Sequence, residues 1–226
     1  TLESGAIRLE KGALPTTAWS VSGSGDAGGL IGHMNAGTNL ELAIADGSAD
    51  KLTVTSTAGN AGGIAGVIDD GAAVILKSSF TLSNLNVTGT KSGGGVAGTT
   101  SNDAVKAEGD SKLTMTASTV KAKGVGSSAG GVYGDYTVSN VSIFPKYIEI
   151  TNVSVTIQNG ENNNENGGNA GGIFGTLQVK TNYTIAFDKE SALVANWVDG
   201  RAEGYGAVIG QVKSDDKKST LILQNM

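Results

Sequence analysis

The sequence predicts an all-β chain: a right-handed parallel β-helix, or solenoid, of about six coils of roughly 35 residues, with three strands per coil. Three observations predict it. A glycine-rich hexapeptide recurs six times at a nearly constant step. The residues around each copy alternate with period two, the signature of a strand. The chain has 35 glycines and only 2 prolines among 226 residues, and no stretch carries a convincing helical period.

The hexapeptide comes first in each repeat. It reads AGGLIG at 27–32, AGGIAG at 61–66, GGGVAG at 93–98, AGGVYG at 129–134, AGGIFG at 170–175 and, degenerate, YGAVIG at 205–210. The first glycines are Gly28, Gly62, Gly94, Gly130, Gly171 and Gly206, giving steps of 34, 32, 36, 41 and 35 residues. Counting each as position 0, position +2 is always a branched aliphatic (Leu30, Ile64, Val96, Val132, Ile173, Val208) and position +4 is always glycine. Alternation places +2, +4 and +6 on one face and +3 and +5 on the other. The +4 glycine is then an inward position where a bend or a close sheet approach leaves no room for a side chain.

The second strand of each coil is a short apolar stretch, such as LELAI at 40–44 or AVILK at 73–77. The third is a longer alternating stretch, such as KLTVTS at 51–56, FTLSNLNV at 80–87 or KLTMTASTV at 112–120, whose Val, Thr and Ile favour strands. Links rich in Gly, Asn, Asp and Ser supply the turns. Stacked coils bury the aliphatic rows as one continuous core. No linker interrupts the repeats, so residues 1–226 are expected to form a single domain. The chain opens and closes on stretches that resemble mid-coil strands, which suggests an excerpt of a longer array.

Composition excludes several classes of function. With 16 basic and 21 acidic residues the net charge is −5, which disfavours general binding to nucleic acid or anionic membranes. There is no cysteine, hence no disulfide or thiolate chemistry. No apolar run is long enough to insert in a membrane. His33 is the sole histidine and stands in the outward +5 row, so an HExxH zinc site is ruled out. No copy of the glycine motif supplies the Lys and Ser or Thr of a phosphate loop. No catalytic residue, metal site or cofactor is therefore assigned. Calcium stays an open alternative at the oxygen-rich IDDG (68–71) and ENNNEN (161–166) segments, whose spacing matches no known loop.

AGGLIG, AGGIAG and AGGIFG, preceded by threonine-rich strands such as LTVTSTAGN, resemble the GLUG-type repeats of large bacterial surface proteins. The resemblance runs from about Thr17 to Val212. It implies a secreted, extracellular β-solenoid at a bacterial cell surface, within a longer chain whose neighbouring domains flank it. The implied role is cell adhesion or rigid display, without catalytic residues. The expected partner is a host or microbial glycan or protein. The alternative is a carbohydrate-active β-helix, a polysaccharide lyase or glycosidase-like enzyme using some of the scattered carboxylates.

Two surfaces are candidates for that contact. The +3 row ends in Tyr133, Phe174 and Ile209; facing away from +2, it would form an apolar stripe with Tyr136 nearby, suited to stacking on sugars or burying against protein. The longest repeat step carries an inserted loop containing Asn163 and Asn164, placed to touch a partner. A threonine series (Thr53, Thr55, Thr57, then Thr114 and Thr116) is the kind of array that orders water at an ice surface. The copies TLSNLNV and VANWV interrupt it, so these are read as ordinary strand threonines.

Overall fold

The computed structural model describes residues 5–10, 14–15, 17–44, 47–102, 104–138, 142–143, 148–158, 167–179, 183–186, 192–194, 197–200, 204–214 and 221–224. Among them every regular element is a strand, and consecutive coils pair in parallel, so the chain is a parallel β-solenoid of about 5 turns. The register carries each hexapeptide onto the next: Gly28 lies on Gly62, Gly62 on Gly94, Gly94 on Gly130 and Gly130 on Gly171.

Each full coil contains five short strands rather than the three expected. In the first they are Ala27–Gly28, Ile31–Met34, Thr38–Leu42, Gly47–Asp50 and Leu52–Ser56. Their counterparts stack into five walls, called here the first to fifth sheets in that order; the third is in two pieces, with no pairing between Val105–Ala107 and Ser142–Ile143 among the described residues. Two breaks account for the extra strands. The long alternating stretch is cut between the fourth and fifth sheets by one residue of positive φ, namely Lys51, Asn84, Ala117 or Asn152 in successive coils. The hexapeptide itself is cut at its centre by a corner.

That corner has the same hydrogen bonding in successive coils. The amides of Ile64 and Ala65, positions +2 and +3, both donate to the carbonyl of Val96 in the next coil, at 2.9 and 3.0 Å. Val132 and Tyr133 likewise share Ile173, and Ile173 and Phe174 share Val208. Two amides serving one carbonyl mark a corner that successive coils make in one-to-one register, and the inward-outward alternation is interrupted there. Residues +2 and +3 therefore both turn inward: Ile64, Ala65, Val96, Ala97, Val132, Tyr133, Ile173 and Phe174 are all buried. The glycines follow from the same corner. A methyl group on Gly66 would lie 2.6 Å from the carbonyl oxygen of Gly32 and 2.7 Å from the amide nitrogen of Ala27, both backbone atoms of the preceding coil. Gly175 and Gly210 meet the same obstruction from Gly134 and Gly175. The expected close approach at +4 is thus one of backbone on backbone.

The buried residues from Ala27 to Val179 form one core along the axis. In the fifth sheet Val54, Val87, Val120 and Val155 lie one upon the next in register with no exposed surface. Burying each such side chain contributes about 1.5–3 kcal/mol. Because a coil touches only its neighbours, stability accumulates coil by coil.

Candidate functional site

The aromatic stripe expected on the outside belongs to the core. Tyr133, Tyr136 and Phe174 are 2%, 3% and 0% exposed. Their rings pack together, with centroids 5.0 Å apart for Tyr133–Tyr136, 6.0 Å for Tyr133–Phe174 and 5.2 Å for Tyr136–Phe174. The corner turns Tyr133 and Phe174 inward beside Tyr136 of the inward +6 row, so none of the three can stack on a sugar. Ile209, at the last rung of the row, is half-buried against the same cluster. Asn163 and Asn164 lie outside the described residues.

The +5 row does lie away from the apolar interior, and it is not simply solvated. It faces a second polar row two residues before each first glycine: Asp26, Asn60, Ser92, Ser128 and Asn169. The two rows interlock across the corner from coil to coil. Thr99 donates to Asn60 at 3.0 Å, Ser92 bonds Asp135, Ser128 and Thr176 share a hydrogen bond of 2.8 Å, and Asn169 donates to Gln211 at 3.1 Å. Asn60 also donates to Asp26 at 2.8 Å, through its side chain. Sequence reading saw one of these rows and missed its partner. The signal was present as a small polar residue at a fixed offset, but only the fold shows that the two offsets meet.

His33 ends this seam. Its Nδ1 lies 3.4 Å from Asp26 Oδ2, and its Nε2 lies 3.1 Å from Asp69 Oδ1, off the N–H direction. Two carboxylates distant in sequence thus flank the imidazole within ion-pair range. Among the described residues no group of three or more His, Asp or Glu side chains is arranged to hold a metal ion.

The outer wall of the third sheet is charged. Lys77 lies 3.7 Å from Glu41, which lies 3.7 Å from Arg8, and Lys77 also bonds Glu108 at 2.5 Å. The Glu108 hydrogen bond holds the Lys77 ammonium above its ordinary pKa.

The outer wall of the fifth sheet is chemically different. Pairing aligns two straight columns: Ser20, Thr53, Asn86, Thr119 and Ser154, and beside it Ser22, Thr55, Thr88, Lys121 and Thr156. Eight of those ten side chains are Ser or Thr, and one is charged. The stretch TLSNLNV, read as an interruption, is the reverse. Once Asn84 takes its positive φ, Thr81 and Ser83 fall in register with Thr114 and Thr116 on the fourth sheet. Asn86 and Thr88 fall in register with the fifth-sheet columns.

Comparison with protein-family models, with curated proteins and with solved structures finds no match to this chain. The class that fold and surfaces define is a parallel β-solenoid with a glycine corner, one charged wall and one hydroxyl-bearing wall.

Proposed function

We propose that the chain is a non-catalytic, GLUG-like solenoid segment of a secreted bacterial cell-surface protein. It acts as a rigid spacer and adhesive module among neighbouring domains of the same chain, offering a side wall or loop to a host or microbial glycan or protein. The observation that supports this reading is the continuity of the first, second, fourth and fifth sheets and of the polar seam at the corner. Such a body projects and resists bending because every coil is hydrogen-bonded to the next. Its side walls differ in charge, so a partner meets a defined chemistry on each.

A glycan array combined with an assay for reducing-end or unsaturated products tests the proposal. Binding without cleavage supports it, and cleavage overturns it. The competing reading, a carbohydrate-active β-helix, draws on the Asp26–His33–Asp69 cluster, since an imidazole held between carboxylates is equipped to move protons. Product release that disappears in His33→Gln would establish that reading instead.

A further inference from the structure

We propose that the outer face of the fifth sheet is an ice-adhesion surface, on which the two hydroxyl columns hold a layer of water in the arrangement of an ice crystal face. This goes beyond the adhesive reading above, because the ligand is neither a glycan nor a protein.

The inference starts from spacing. Parallel strands stack about 4.8 Å apart, and residues i and i+2 of one strand are about 6.6 Å apart. In-register pairing from Ser20 to Ser154 and from Ser22 to Thr156 turns these two distances into a rectangular grid with no slip between coils. A prism face of hexagonal ice also presents its oxygens in a rectangular array, with one repeat somewhat shorter and the other somewhat longer than these. Water bridging neighbouring hydroxyls on this grid is therefore already close to its lattice position.

The second step is rigidity. Threonine is stiff at its first side-chain torsion, so each hydroxyl and methyl is held rather than swept through many positions. Beneath the columns, Val54, Val87, Val120 and Val155 are fully buried and anchor the wall to the core. Ordering the surface on contact thus costs little side-chain entropy.

The third step removes other occupants. Among these ten residues Lys121 alone is charged, whereas the third-sheet wall carries Arg8, Glu41, Lys77 and Glu108. A polyionic partner would select the latter wall. The columns contain no aromatic ring from Ser20 to Ser154 or from Ser22 to Thr156 on which a sugar could stack, and the next rung, Trp197 after Ser154 and Asp199 after Thr156, ends the hydroxyl grid. A neutral, periodic array of hydroxyls and methyls is complementary to a neutral, periodic array of water.

The experiment uses the dye-labelled full chain in slowly grown polycrystalline ice. The unmodified chain is expected to be taken up into the ice and to slow its recrystallisation. Thr88→Tyr and, independently, Thr119→Tyr place a ring across the grid and are expected to abolish uptake. Ile75→Tyr, on the outer face of the third sheet, is expected to leave uptake intact. A cooperative thermal transition by circular dichroism verifies that each variant is folded. Exclusion of the unmodified chain from ice overturns the proposal, as does undiminished uptake of both folded grid variants. Retention on insoluble cellulose or chitin without uptake into ice also overturns it and reassigns the face to a polysaccharide.

Discussion

Ala117 has a φ of +49°, at the corner where Lys51, Asn84 and Asn152 have +54°, +51° and +55°. This left-handed conformation costs an L-residue about 1–2 kcal/mol, and alanine lacks the side-chain hydrogen bonds by which asparagine offsets it. Ala117→Gly removes the strain, while the greater freedom of glycine in the unfolded chain returns about 0.5–1 kcal/mol. The variant is expected to gain up to about 1 kcal/mol in denaturant unfolding, and a loss of stability would refute the assignment of strain. At the same corner, Asp50 Oδ1 accepts from Asn84 Nδ2 at 2.7 Å and from Ser83 Oγ at 2.9 Å. Led by the Asn84 bond, these hold the Asp50 carboxyl below its ordinary pKa of 3.8. A depressed folded pKa means that the contribution is complete above the ordinary value and disappears as pH falls through the folded one. Asp50→Asn is therefore expected to melt below the parent chain at neutral pH, with the gap closing in acid below pH 3.8. A constant gap across that range would show that Asp50 acts only through shape.

At the scale of the element, the parts legible in the sequence were those that repeat with period two. The valine column of the fifth sheet and the aliphatic pair of the third were readable because alternation within one strand is enforced by the pleat. Parallel stacking was readable because the glycine motif recurs at a near-constant step. What escaped lay at the places where alternation stops. Nothing in AGGVYG announces that two amides will share one carbonyl, yet that corner carries Tyr133 and Phe174 from the expected outside to the inside. Nothing in TLSNLNV announces that Asn84 will take a positive φ, yet that residue restores the register of the hydroxyl columns. Both are single-residue backbone events within otherwise regular strands, and hydrophobic pattern is blind to them. The seam from Asp26 to Gln211 escaped for a related reason, since it joins two rows whose meeting depends on the corner angle.

For the whole molecule, the repeat makes a strong statement about modularity. Gly62 and Gly94 are stacked equivalents, so removing residues 62–93 joins Ala61 to Gly94 and deletes one coil without shifting any column. The coils brought together match like on like: Val54 would meet Val120, Leu40 would meet Val105, and the glycine corner would close on itself through Gly28 and Gly94. The seam survives too, because Asn60 stays beside Asp26 and Thr99 takes the place of Val67 in the facing row. In a fold whose coils interact only with their neighbours, such an excision subtracts one coil and one interface and leaves the remaining interfaces in place. A globular domain with a single closed core would not tolerate the loss of five consecutive strands. The shortened chain is expected to keep the β-type circular dichroism spectrum and a cooperative thermal transition, at a lower midpoint. Small-angle scattering should show its long dimension reduced by about 4.8 Å, the spacing of one rung. Insolubility or loss of the transition would mean that the coils are not interchangeable. Stability would then rest on contacts particular to the second coil, foremost the Asp69–His33 pair that the excision removes.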